Sequence, residues 1–369
     1  MPTTFDPLAA VRRAGDPEVD VFVQGMVFLD IVFTGLHELP RPGTEVWADG
    51  MGSCPGGIAN LAVAGSRLGL RTALGAAFGD DDYGDFCWRV LEEQERVDLS
   101  MSRRYPRWHT PVTVSVSLDG DRTMITHGHD APQDATTMLG STPRARSVLI
   151  DLDGHRPLGV GHPERAWAEQ AHAAGSLLFA DVGWDPTGAW SPTVLDQLSY
   201  CHGFLPNAVE AMAYTRTESP HDALYALADL VPLAVVTIGR DGSLAIDSVS
   251  GEEASVPALR VEAIDATGAG DVFDAGVLVG TLAGWPLLDR INFATLCSSL
   301  AVQQFGGSLA APGWGDIADW WHRVREQPAT NAAARSVQRR FAFLDDLVAD
   351  VPSGAVRRAA ATIAKLSDV

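Results

Sequence analysis

Short apolar runs that end at or beside Asp, Asn or Gly, separated by helix-like segments, constrain this chain more than any other feature. Val21–Gly25, Ser147–Leu152, Leu177–Asp181, Phe204–Asn207 and Val235–Gly239 are such runs. Asn60–Leu68, Glu164–Ala174, Ala208–Tyr214 and Asp222–Leu230 carry helical spacing between them. Strands alternating with helices predict an α/β fold: a mostly parallel sheet with helices on both faces. Ligands bind beyond the carboxyl ends of the strands in such sheets, so the polar residues at those ends are candidates by position.

Two regions break the alternation. Phe33–Asp49 holds Gly35, Pro40, Pro42 and Gly43, and His109–Thr126 alternates polar with apolar residues around a turn at Asp119-Gly120. Both predict antiparallel strands outside the main sheet, at about 33–49 and 105–130, forming a small β-sheet lid that closes a site against water. The expected organisation is an N-terminal extension over 1–20, an α/β core over 21–326 and a helical C-terminal extension over 327–369. Helical stretches are expected at Asp316–Glu326, Val337–Val348 and Ala355–Leu366.

Composition narrows the function classes. The formal charge is −20 over 369 residues, which disfavours binding to nucleic acid or an anionic membrane. Lys365 is the only lysine, so a lysine-bearing P-loop is excluded. Cys54, Cys87, Cys201 and Cys297 lack metal-site or disulfide-framework spacing. No apolar stretch is long enough to span a bilayer and the first twenty residues lack a signal-peptide core, so a cytoplasmic protein is expected. Gly25-Met26-Val27-Phe28 after the first strand is not a G-x-G-x-x-G turn, which argues against a dinucleotide-dependent dehydrogenase.

The most informative stretch is Asp265-Ala266-Thr267-Gly268-Ala269-Gly270-Asp271, just before the helical pattern Val272–Leu282. Gly268 and Gly270 permit a tight turn and a close approach of ligand to the amides. Free N–H groups at a helix start favour an anion, so phosphate oxygens can be held there without lysine. Asp271 in the first turn is placed to take a proton from an attacking hydroxyl beside that phosphate. On its own, the stretch is equally consistent with a capped helix after a glycine turn.

The motif Asp-x-Thr-Gly-Ala-Gly-Asp followed by a helix resembles the C-terminal signature of the ribokinase-like, or PfkB-type, carbohydrate kinases. The resemblance runs from about Val21 to Pro312. It implies a three-layer α/β/α sandwich with a lid, an anion hole from Gly268, Ala269 and Gly270, and Asp271 as base. Gly56-Gly57-Ile58-Ala59-Asn60 looks like the family's N-terminal signature, one residue short between the glycine pair and the asparagine, and no lysine follows the pair. By resemblance, Asp30, Gly56, Gly57, Asn60 and Asp271 hold the acceptor. Asn207 and Glu210 match the Asn-x-x-Glu motif that organises Mg2+ through water. Thr237, Gly239 and Gly242 match the strand end beside the nucleotide phosphates, and Asn292 and Gly307 match the nucleotide-bordering helix and last loop. Asp265 and Thr267 are candidates for a monovalent cation such as K+. Asp181 and Trp184 fall in a segment like the family's Asp-Pro-x-x-Arg region, lacking its arginine.

The expectation is therefore an ATP- and Mg2+-dependent kinase for a hydroxyl of a sugar or sugar acid, dimeric through its lid. The alternatives are a nucleoside kinase, with Phe33, Trp47 and Trp108 available for a base, and a non-catalytic binding regulator on the same scaffold.

Overall fold

The computed structural model describes residues 5–118, 121–152, 161–162, 165–185, 187–304, 306–328 and 332–358. In chain order the strands are β1 (Val19–Gln24), β2 (Val27–Thr34), β3 (Gly50–Gly57), β4 (Thr72–Gly75), β5 (Ala77–Gly79), β6 (Arg103–Tyr105), β7 (Val112–Leu118), β8 (Asp121–His127), β9 (Ala145–Leu152), β10 (Leu177–Val182), β11 (Gly203–Phe204), β12 (Leu233–Thr237), β13 (Ser243–Asp247) and β14 (Glu252–Val256). The helices are α1 (Ala59–Arg67), α2 (Asp82–Arg89), α3 (Ala135–Leu139), α4 (Ala166–Ala173), α5 (Thr193–Asp196), α6 (Ala208–Thr215), α7 (Pro220–Ala228), α8 (Ala269–Leu282), α9 (Leu287–Ala301), α10 (Trp314–Glu326), α11 (Ala332–Arg340) and α12 (Leu344–Ala349).

Eight strands form the main sheet in the order β14-β13-β12-β11-β10-β9-β1-β4. Pairing is parallel from β4 to β12, and β13 pairs antiparallel with both β12 and β14, so β13 alone runs against the others. The inner strands read as unbroken apolar runs because both of their faces are covered. One core, on the face of α1, α8 and α9, includes Val21, Leu74, Phe179, Val235, Phe293 and Trp314. The other, on the face of α4, α6 and α7, includes Phe22, Val148, Trp167, Phe204 and Tyr214. From β1 the chain first adds β4 on one side and later β9 on the other. The carboxyl ends of β1 and β9 thus flank the point where strand order reverses, the usual position of a ligand crevice.

A second sheet, β3-β2-β7-β8, stands outside the main one. This corrects the expected position of the first lid strands. They are β2 and β3, which flank the 33–49 segment; residues 35–49 are irregular because Pro40 and Pro42 cannot donate to a ladder. The second lid segment holds β7 and β8, and its expected Asp119-Gly120 turn lies outside the described residues. The described part of the expected N-terminal extension packs on the core: Leu8 is fully buried, and the Phe5 ring meets Trp314 edge-on at 4.6 Å. In the C-terminal segment the expected Val337–Val348 helix is broken into α11 and α12. Residues 355–358 are not helical, and the remainder of that last expected helix lies outside the described residues. No helix among the described residues is long and apolar enough to cross a membrane.

Candidate active site

Gly268 caps α8 in the left-handed region at φ 72°, and this sharp entry puts Asp271 in the first turn. Asp271 Oδ2 accepts a hydrogen bond of 3.2 Å from Asn60 Nδ2 on α1. Asn60 is therefore not the N-cap of its helix; Ile58 holds that position, and the amide is left for the site. Its Oδ1 is buried without a hydrogen-bond partner. A buried acceptor in that state is costly unless something donates to it, so it marks a place for a hydrogen-bond donor.

Asp30 follows β1 and lies within β2, where it is 5% exposed. Its register partner on β3 is Cys54. The Asp30 carboxylate lies over Gly56: a methyl group there would sit 1.9 Å from Asp30 Oδ2. Glycine at 56 is thus what makes room for the carboxylate. Gly57 has φ 62°, and a side chain there would strike the Met26 carbonyl at 2.4 Å. Burial and the nearby Asp30 charge push the Cys54 thiol up to about 12, so it stays protonated and unreactive.

Gly307, expected beside the nucleotide, reaches the acceptor side as well. A Cβ on it would meet Cys54 Sγ at 3.1 Å, Asn60 Oδ1 at 3.3 Å and Asp30 Oδ2 at 3.6 Å. A Cβ on Gly268 would lie 3.1 Å from Gly307 Cα. The two glycine loops therefore touch, and Asp265 splices them. Its Oδ1 accepts from Thr267 N at 3.1 Å and Thr267 Oγ1 at 2.9 Å, and its Oδ2 accepts from Gly306 N at 2.8 Å. Gly307 N donates to the Thr267 carbonyl at 2.8 Å. Both Asp265 oxygens carry protein donors, which a monovalent cation at Asp265 and Thr267 would have to share.

Of the three residues expected to form the anion hole, Ala269 turns its amide back to the Ala266 carbonyl at 3.2 Å. Gly270 follows it in the first turn, where amides lack intrahelical partners. A Cβ on Gly270 would meet nothing within 4 Å, so this stretch of backbone is open to a ligand.

Asn207 and Glu210 form a reciprocal capping box at the start of α6. Asn207 Oδ1 accepts from Glu210 N at 3.1 Å, and Glu210 Oε2 accepts from Asn207 N at 3.0 Å. Asn207 is bridged to Thr237 at the end of β12. Gly239 at φ 58° and Gly242 at φ 111° then turn the chain back into β13. A side chain on Gly242 would come within 2.0 Å of the Val256 carbonyl.

Sequence reasoning named Asp181 and Glu210 but missed Asp151 and Asp274, which join them in an acidic floor beneath these loops. Burial raises the pKa of Asp181 well above the carboxylate range, and the charges of Asp274, Glu210, Asp271 and Asp151 add to the effect. Burial likewise raises Asp274, with Asp271 and Glu210 contributing. Glu210 is pushed up to about 7, again mainly by burial. Asp151 and Asp181 are register partners on β9 and β10. Asp274 follows Asp271 by three residues, which places both on one helical face, a spacing the sequence did contain. Such carboxylates crowd together only if protons or a cation offset their repulsion. An all-oxygen set at the strand ends suits Mg2+, which keeps several waters.

Asn292 is not left for a ligand by its contacts. It is 2% exposed, and its Oδ1 accepts from Arg340 Nε on α11. Behind the site, Arg67 braces α1. It pairs with buried Glu95 at 2.8 Å and donates to the carbonyls of Leu309 and Ala311. Ser308 Oγ donates to the Pro55 carbonyl at 2.6 Å. These bonds hold residues 55–67 and 307–311 as one unit.

Comparison with known proteins identifies the family and the fold. A family model described as pfkB family carbohydrate kinase matches residues 37–313. A nucleoside kinase of Methanothermobacter thermautotrophicus is 29% identical over 80% of this chain and 94% of its own length. A fructokinase of Klebsiella pneumoniae is 31% identical over 73% of this chain and 91% of its own. Among solved structures, a putative ribokinase from Agrobacterium tumefaciens superposes with a TM-score of 0.68 at 22% identity, covering 84% of this chain and 99% of that one. A fructokinase from Vibrio cholerae, solved with fructose, ADP and potassium ion, gives 0.65 at 25% identity, covering 83% and 99%. With the family model spanning most of the sheet and both glycine loops, the chain belongs to the pfkB family of carbohydrate kinases.

Proposed function

We propose that this chain transfers the γ-phosphoryl group of ATP to a hydroxyl of a sugar or sugar acid, with Asp271 as the base. The observation that carries the proposal is the meeting of Asp271, Asn60, Asp30 and Gly307 at one point. An acceptor hydroxyl seated between Asp30 and Asn60 would fill the orphaned Asn60 Oδ1, with Asp271 within reach of its proton. Asp30 would take charge-assisted bonds from neighbouring hydroxyls. Asp271 would accept the proton and orient the oxygen toward the phosphoryl group, a reaction in which positioning and charge stabilisation dominate.

The transferring group would lie against the amides of Gly268 and Gly270, with Ala269 contributing if it gives up its bond to Ala266. Asn207, Thr237, Gly239 and Gly242 would line the rest of the phosphate path. Glu210, with Asp181 and Asp274 behind it, would hold Mg2+ mainly through water. When bound, the ion neutralises charge on the phosphates. The lid sheet, with Met124 and Ile125 exposed on its edge strand β8, is the proposed surface for a homodimer.

A nucleoside acceptor is the second reading. Trp47, 85% exposed on the segment joining β2 and β3, offers an aromatic face for a base. Trp108 does not, because it packs against the core and its Nε1 donates to the Asp130 carbonyl. ADP release measured across pentoses, hexoses, sugar acids and nucleosides decides between them. Turnover on sugars alone supports the first reading, and turnover on nucleosides alone replaces it. Background release with every acceptor would favour a non-catalytic regulator.

A further inference from the structure

Three histidines meet where the β7–β8 hairpin of the lid joins the body of the protein. His109 precedes β7, His127 is the last residue of β8, and His129 follows two residues on. One ligating atom from each lies within 4.8 Å of the others. The His109 and His127 rings stack at 5.0 Å with 13° between planes. His129 stands edge-on to both, at 5.2 and 5.3 Å. The register makes the encounter inevitable: His127 pairs with Val112, which returns the end of β8 to the entry of β7.

The entry side is rigid. Trp108 Nε1 donates to the Asp130 carbonyl at 3.0 Å, tying entry to exit. Thr110 N and Oγ1 donate to the two Asp81 oxygens at 2.7 and 3.0 Å. His109 is thus flanked by two anchored residues. Its Nδ1 faces the Thr110 carbonyl at 3.2 Å. In the tautomer with hydrogen on Nδ1, that carbonyl accepts a hydrogen bond from Nδ1–H, and Nε2 is left with the free lone pair. A ligating histidine commonly has its second nitrogen fixed this way.

We propose that His109, His127 and His129 bind one Zn2+ ion, with water completing a tetrahedral set. Three neutral imidazoles suit zinc and not magnesium, which prefers oxygen ligands. Zn–N bonds of 2.0–2.1 Å imply nitrogens roughly 3.4 Å apart, so the rings must draw in somewhat. His127 and His129 are exposed and free to make that adjustment. The ion would clasp the two ends of the outer lid hairpin. Thr113, one residue beyond Val112, is the β7 register partner of Asp30. Zinc occupancy would therefore stiffen the strand beside the acceptor carboxylate. This last consequence rests on the kinase reading; the metal site does not.

The test uses the full chain without a histidine tag, stripped of metal and free of nucleotide. Zn2+ and, separately, Co2+ are titrated in excess Mg2+, which fills the carboxylate cluster. The expected result is one tight equivalent per chain with the visible spectrum of tetrahedral cobalt. The H109A/H127A/H129A variant should lose both, and H127A alone should bind at least about tenfold more weakly. A second measurement needs no variant: Zn2+ should protect these three imidazoles, and not the remaining histidines, from diethyl pyrocarbonate. Equal uptake by wild type and triple variant, or modification of all three rings unchanged by Zn2+, would overturn the proposal.

Discussion

Asn60 Nδ2 donates to Asp271 Oδ2 at 3.2 Å across 211 residues of sequence. The bond orients the carboxylate without neutralising it. Replacing Asp271 with Asn keeps the shape and removes the proposed base. Turnover at saturating substrates should fall by ~10²–10⁴-fold, while the thermal unfolding midpoint stays close to wild type. Undiminished ADP release from a folded Asp271→Asn protein would end the assignment.

Gly56 and Asp30 compete for one volume. Asp30→Ala should raise KM for the acceptor by about 10–100-fold and leave KM for ATP nearly unchanged, as expected for lost hydrogen bonds to a charge. Gly56→Ala should have a similar effect although Asp30 is intact, because the added methyl group displaces its carboxylate. The double variant should be little worse than either single one, since both remove the same contact. Additive losses would show that the two residues act separately.

The pKa of Glu210 is raised from 4.5 to about 7 by burial. The folded chain therefore holds a proton that the unfolded chain releases. Its contribution to stability is complete below about pH 4.5 and is lost as pH rises toward about 7. In the metal-free chain, Glu210→Gln should weaken the fall in stability over that interval, measured by urea unfolding at several pH values. A variant with the same pH slope as wild type would remove Glu210 as the source.

Arg67 and Glu95 are both nearly inaccessible and bonded at 2.8 Å. Arg67→Met strands a buried carboxylate and frees the Leu309 and Ala311 carbonyls. The expected loss is about 3–5 kcal/mol, read from denaturant midpoints. Arg67→Met with Glu95→Leu should recover much of it, because two apolar side chains leave no uncompensated charge.

What the sequence made legible was local chemistry. Gly268, Gly270 and Asp271 are neighbours in the chain, so their turn, helix start and carboxylate could be read together. The strand-helix alternation gave the parallel sheet for the same reason. The acidic floor was missed because Asp151 and Asp181 meet only through the register of β9 and β10. Asp274 was available at helical spacing from Asp271 but was read as part of the apolar helix. The meeting of His109 with His127 needed the β7–β8 register, which the sequence alone did not supply. Asn292 was matched by order along the chain, whereas its side chain is settled by Arg340, 48 residues away.

The splice made by Asp265, Thr267 and Gly306, with Ser308 bonded to Pro55, has a consequence for how the protein is made. Asp30, Asn60 and their glycines leave the ribosome early. The loops that complete their pocket are among the last parts of the core to be synthesised. A nascent chain that stops before Gly306 carries Asp30, Asn60 and Asp271 but not the Gly306–Ser308 loop that joins them. The pocket in this architecture is complete only once the late loop at Gly306–Ser308 is brought into register with the early residues 55–60.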